Sequence, residues 1–377
     1  MAPARLPLPT VVYALCGTGR GHTSRAMAVA DVLRARGHRV LFAAGAPAAS
    51  DLDARDGPVI PIPALRQVVH ANRVRLGETA RVNWPHARHS FDIIAEAAWW
   101  LSRVRADVVV ADHEPFVGRA ARRVGVPVVA LSRQLLLVHA RLDVPRRDAL
   151  GAWGTARGIA VVAPPRPDAT VIPTFHDAQL RHGSSAQLVP PVLRDDVLGQ
   201  TVTGGERVLV YLNEGDGMET FVSALGRVDA PVDVFGLPAG TPAPANVTLH
   251  APDRAAFLAR LGACRAVVAT AGFTLLSEAL HLGKPVLAVP NRGFFEQMLN
   301  ARAVVAAGRG EMAVGAPDVA AFLDRAARYA RPPATREAGR AGREAAADAV
   351  ERVLAAPGSA GSGGRLSWPV IPAPVAS

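Results

Sequence analysis

The chain has 377 residues, 50% apolar and 20% charged, with two cysteines and a formal charge of +10. Such a length predicts two domains with cores large enough to fold unaided, while the composition excludes wholesale disorder and a disulfide-stapled scaffold. Of the 42 basic residues only Lys284 is a lysine, so the charge reads as an arginine-rich solvated surface or as a match for an anionic partner: nucleic acid, membrane or a phosphorylated ligand.

The apolar run VVYAL (11–15) predicts a buried first strand. It leads into a Gly-rich turn and not into a signal-peptide cleavage site. No stretch reaches the roughly 18 apolar residues of a membrane span, so a cytoplasmic protein is expected. A helix over 23–36 follows, closed by Gly37, then the strand HRVLFAAG and an edge strand at 58–63, where prolines interrupt PVIPIP. A helix is predicted at 87–105, a strand at DVVVAD (107–112), a helix at 116–124 and a strand at 126–132. Residues 141–206, rich in Pro, Arg and Gly, read as irregular. The alternation then restarts, with strands at 207–213, 232–237, 246–250, 264–271 and 285–290 and helices between them. A last helix is expected over 335–355, and the sequence past Pro357 reads as an unstructured tail. The predicted class is α/β with two Rossmann-like parallel-sheet domains, 1–190 and 207–331, a C-terminal helix at 332–356 and a tail at 357–377.

Two loops carry candidate chemistry. In CGTGRGHTSR (16–25), Gly17, Gly19 and Gly21 permit close approach of a ligand or tight helix–strand packing, and the following helix start offers free N–H groups. His22 sits where the edge of a parallel sheet opens on a crevice, a place suited to a general base or to a structural histidine. Cys16 reads as a small buried residue. The second loop opens ATAGFTLLSEALHLGKPVLAVPNRGFFEQMLNA (269–301), where a strand ends at Thr270–Gly272 and a helix starts at Phe273 with Glu278 inside it.

In this stretch Gly272, Phe273, Glu278, Ala279, Gly283, Pro285, Pro290, Glu296, Gln297, Asn300 and Ala301 match the pattern G-[FW]-x4-E-[AG]-x3-G-x-P-x4-P followed by E/D-Q and N-A. With Gly17, Gly19 and His22 as the first-loop G-x-G-x-x-H, the chain resembles two-domain (GT-B) nucleotide-sugar glycosyltransferases over most of 11–331. It is most similar to the branch of the UDP-glycosyltransferases and the lipid-linked N-acetylglucosaminyltransferase of peptidoglycan synthesis. The resemblance implies that Glu278 holds the donor's ribose, that Thr270, Gly272 and Phe273 meet its diphosphate, and that Glu296 and Gln297 meet its sugar. It also implies a second wall from Asn213, Glu214 and Gly215, although this loop departs from the usual small Gly/Ser turn. The base and its orienting acid would be His22 and Asp112; Glu114 competes for the second role, and Asp112 also reads as a helix cap.

Retaining members carry an E-x7-E pair, and position 270 is Thr, so inversion without a metal is expected. Asp51-Leu52-Asp53 follows no clear strand and is discounted as a metal motif; no HExxH or zinc-spaced cysteine pair occurs, and no cofactor is expected. Helix ends, with Arg20 or Arg292, would steady the leaving diphosphate. The expected reaction transfers a hexosyl group from a UDP-sugar to a hydroxyl on a lipid or small molecule. A UDP-sugar 2-epimerase and a non-catalytic nucleotide-sugar binder are the alternatives. Trp84, His86, His89, Trp99 and Trp100 with Arg73, Arg75, Arg81 and Arg88 read as a peripheral contact with the inner membrane face, or as a helical hairpin packed on the sheet. No recognition motif supports nucleic-acid binding.

Overall fold

The computed structural model describes residues 8–17, 20–70, 73–142, 144–211, 218–238, 240–291, 293–313 and 317–356. Seven parallel strands form the first sheet: β1 (Thr10–Leu15), β2 (Arg39–Ala44), β3 (Ile60–Pro61), β4 (Val108–Asp112), β5 (Val128–Leu131), β6 (Ala169–Pro173) and β7 (Gln187–Val189). Their order is β3-β2-β1-β4-β5-β6-β7. A second parallel sheet holds β8 (Val208–Tyr211), β9 (Val232–Phe235), β10 (Val247–His250), β11 (Ala266–Ala269), β12 (Val286–Ala288) and β13 (Gly310–Met312), in the order β10-β9-β8-β11-β12-β13. Each sheet reverses its order beside its first strand, which opens a crevice at the carboxyl ends of the strands.

The helices between them are α1 (Arg20–Ala35), α2 (Ala48–Asp56), α3 (Leu76–Arg88), α4 (Ser90–Val104), α5 (Val117–Arg123), α6 (Leu136–His139) and α7 (Ala149–Val162). They continue as α8 (Asp195–Leu198), α9 (Met218–Leu225), α10 (Arg254–Ala263), α11 (Phe273–His281), α12 (Phe295–Ala306), α13 (Val319–Arg325) and α14 (Arg336–Ala355). Central strands covered on both faces need unbroken apolar runs. Accordingly, every residue of β1, β4 and β11 is buried. Gly37 closes α1 with φ +90°, a left-handed conformation open to glycine.

Two expectations need correction. Residues 141–206 are not irregular: they hold α7 and the outer strands β6 and β7, whose short length and neighbouring prolines hide them from periodicity. The last helix is no appendage of the second sheet. Ala346, Ala347, Val350 and Val353 of α14 share a core with Val29 and Leu33 of α1. Arg36 binds Glu344, Asp348 and Glu351 at 2.6–2.7 Å. Gly342 lets α14 cross against the Pro190 and Pro191 carbonyls, where a β-carbon would collide. The segment bearing Trp84 and Trp99 is a hairpin of α3 and α4; α4 buries Ala97, Ala98 and Leu101, while both tryptophans stay exposed. No helix among the described residues is long and apolar enough to cross a membrane.

Candidate active site

A cavity of about 1920 Å³ opens where β1, β8, β9 and β11 end, walled by residues of both sheets. Pairing of β1 with β4 sets Leu15 opposite Asp112. The first turn of α1 therefore lies beside the end of β4. His22 Nδ1 lies 2.8 Å from Asp112 Oδ1. Arg25, one turn further along α1, donates from Nε and Nη2 to the two Asp112 oxygens at 2.8 and 2.7 Å. Asp112 is 0% exposed. Burial alone would raise its pKa, but Arg25 and His22 outweigh that and hold the carboxyl at about 2. A bare Nδ1 at 2.8 Å from an ionised oxygen would set two lone pairs against each other, so the imidazole carries its proton on Nδ1. Nε2 is then the lone-pair nitrogen; it lies 3.4 Å from Gln134 Nε2, and both residues line the cavity. The His113 ring stacks on that of His22 at 5.9 Å.

Glu114 lies elsewhere than the sequence suggested. It accepts from the Phe116 and Val117 N–H groups at 2.8 and 2.7 Å, so it caps α5 and does not touch His22. The capping role expected of Asp112 thus falls to Glu114. Burial drives the Glu114 pKa up to about 7, against the pull of these N–H donors.

On the facing side, α11 begins at Gly272 with no side-chain cap, leaving its first N–H groups at the cavity wall beside Thr270. The starts of α1 and α11 nearly touch: a β-carbon on Gly21 would sit 2.7 Å from Thr274 Oγ1. Glu278 lines the cavity, is 3% exposed and accepts from Arg254 at 3.2 Å. Arg254 is itself held by both oxygens of Asp196. Burial raises the Glu278 pKa, and Arg254 opposes the shift. Glu296 also lines the cavity, where burial raises its pKa against the attraction of His22, Arg133 and Arg25.

Other expected residues are placed differently. Gly17 is buried behind the cavity, where a β-carbon would collide with Ala64 and Gly45; loop packing explains this glycine. The Gln297 side chain lies off the cavity wall and accepts from the Asn291 N–H at 2.8 Å, which shapes the loop before α12. The Phe273 ring stacks on Phe175 at 5.4 Å beneath the Arg133 guanidinium, leaving its backbone at the helix start. Gly19, Asn213, Glu214, Gly215 and Arg292 lie outside the described residues. Both cysteines are buried and free.

Three arginines escaped the sequence reading. Arg25 had a visible signal, a charge three residues after His22 on a face otherwise buried. Arg133, 2% exposed, crosses between the sheets to donate to Asn300 on α12 at 3.1 and 3.3 Å. Nothing in the local sequence marks Arg133 or Arg254, because their partners are remote.

A family model described as Glycosyl transferase family 1 matches residues 9–326. No curated protein matches the chain in sequence. Among solved structures, the calicheamicin glycosyltransferase CalG4 superposes with a TM-score of 0.60 at 20% identity, covering 93% of this chain and 100% of that one. MurG of Acinetobacter baumannii gives a TM-score of 0.57 at 16% identity, covering 91% and 99%. The glycosyltransferase VinC in complex with DTDP gives 0.54 at 17%, covering 91% and 96%. These likenesses establish a shared fold.

Proposed function

The chain belongs to glycosyl transferase family 1 and is a glycosyltransferase of the GT-B fold; from that premise we propose that it transfers a hexosyl group from a nucleotide sugar to a hydroxyl acceptor, with inversion and without a metal ion. Family membership as a transferase sets aside the epimerase and the non-catalytic reading. The observation that carries the mechanism is the His22–Asp112–Arg25 chain at the cavity edge. Arg25 keeps Asp112 ionised, Asp112 fixes the imidazole with Nδ1 protonated, and Nε2 is left to accept a proton. As the acceptor oxygen bonds to the anomeric carbon, its proton passes to His22 Nε2. The bond from that carbon to the diphosphate oxygen breaks, and the electron pair leaves with the diphosphate.

The departing charge is met by the uncapped N–H groups of α11 and the positive ends of α1 and α11. Glu278 takes the ribose hydroxyls, with Oε1 already engaged by Arg254, and Glu296 takes donor-sugar hydroxyls. The nucleotide is UDP or its thymidine counterpart, the latter being what the VinC structure holds. The reading makes the domains 1–190 the acceptor side and 207–331 the donor side.

The test incubates the protein with UDP- and dTDP-hexoses and a panel of hydroxyl acceptors, following release of nucleoside diphosphate. His22→Ala should lower transfer about 10²–10⁴-fold; transfer at the wild-type rate would overturn the base assignment.

A further inference from the structure

Gly151, Gly154 and Gly158 recur at i, i+3 and i+7 along α7 and all line the cavity. A glycine inside a helix costs about 1 kcal/mol relative to alanine, so α7 is weakened along its cavity face. At Gly151 packing explains the choice, since a β-carbon would come within 2.5 Å of the Phe295 ring. At Gly154 and Gly158 it does not: nothing lies within 4 Å of where a β-carbon would stand. Side chains there would project into the cavity space. The rest of this wall is Leu150, Thr155, Ile159 and Val162. The one charged residue of α7, Arg157, is off the wall with its guanidinium over the Trp153 ring.

A second observation points to a ligand in the same space. Thr23, adjacent to His22, is 6% exposed, lines the cavity, and its hydroxyl has no hydrogen-bond partner. Buried hydroxyls are normally satisfied, so one bare at a cavity wall fits a ligand's polar group. The turn 133–135, whose Gln134 meets His22 Nε2, packs against α7, so the glycine face and the base border one space.

We propose, building on the transferase reading above, that the acceptor is a flat, largely apolar ring system bearing a hydroxyl, seated on the bare backbone of α7 with a polar group at Thr23. A smooth wall with one threonine hydroxyl offers a ring broad contact. It lacks the several amide and charged side chains that a sugar acceptor needs for its hydroxyls. A side chain at Gly154 or Gly158 would occupy the volume the ring requires.

Binding of 7-hydroxyflavone, 7-hydroxycoumarin and 1-hydroxyanthraquinone to the full chain, read by fluorescence and calorimetry, tests this. Farnesol and methyl glucoside serve as a flexible lipid-like alcohol and a sugar alcohol. Wild type should bind a planar phenol at least tenfold more tightly than either. Gly158→Ala, Gly158→Val and Gly158→Leu should weaken that binding progressively, reaching at least tenfold with Leu, and Gly154→Leu should do the same independently. All four substitutions raise helix propensity, and thermal melts confirm that each is folded. The proposal is overturned if no planar phenol binds, if farnesol or methyl glucoside binds more tightly, or if the Gly158 series leaves the affinity flat. Because the readout is binding, it fails separately from the transferase reading, which fails if no nucleoside diphosphate is released with any acceptor.

Discussion

Replacing Asp112 with asparagine perturbs stability and chemistry by different amounts, and the two can be read apart. Asp112 is fully buried and receives two donations from Arg25 and one from His22. Asparagine keeps the shape but leaves the Arg25 cation, 5% exposed, without its counter-charge. Breaking a buried ion pair from one side costs about 3–5 kcal/mol. At roughly 2–4 °C per kcal/mol for domains of this size, the melting temperature should fall by about 6–20 °C. The carboxyl titrates near 2 in the fold against an ordinary 3.8, so its stabilisation is present above pH 3.8 and disappears as pH falls through 2. That shift corresponds to about 2 kcal/mol, which the acid limb of a pH–stability curve should show for wild type and not for Asp112→Asn. Transfer should drop about 10²–10⁴-fold, because the imidazole loses the partner that fixes its tautomer. In the double variant Arg25→Gln/Asp112→Asn no buried charge is stranded, so most of the stability should return while activity stays lost. Circular dichroism melts and nucleoside diphosphate release provide both readouts. A single variant as stable as wild type, or a double variant that recovers transfer, would refute the reasoning.

Glu114→Gln should flatten the pH dependence of stability. With its folded pKa raised to about 7 from 4.5, Glu114 favours the fold below pH 4.5 and loses that contribution, roughly 3 kcal/mol, as pH rises through 7; urea melts at pH 5 and pH 8 measure it. Glu278→Ala should weaken nucleoside diphosphate binding by roughly tenfold or more by calorimetry, since Arg254 is left facing the ribose without its carboxylate. Gly342→Ala should destabilise by about 1–3 kcal/mol, because its β-carbon meets backbone carbonyls of Pro190 and Pro191 that cannot rotate away; the melting temperature reports it directly.

The central strands were legible in the sequence because burial on both faces demands runs such as VVYAL and VVVAD. β6 and β7 were not, since a three- to five-residue strand beside prolines carries too little periodicity. The helix over 336–355 was legible as a helix, but its partner was not: amphipathicity says that a face is buried and not against what. His22 and Asp112 could be read from their places at strand ends. Choosing between Asp112 and Glu114 required coordinates, because two acids two residues apart on one turn point in different directions. Gly17 illustrates the opposite limit, where a glycine in a ligand-binding pattern is required by the chain packed on it.

The docking of α14 on the first sheet also sets an order of events during synthesis. Val350 and Val353 complete a core whose other members precede residue 193. At about 5–20 residues per second, roughly 10–30 s pass between translation of β7 and of α14. Through that interval the nascent first domain presents an open apolar face to solvent and to chaperones. It can close only when residues far downstream return to it, so a late chain break or a stalled ribosome would strand an aggregation-prone half, however sound its own sequence.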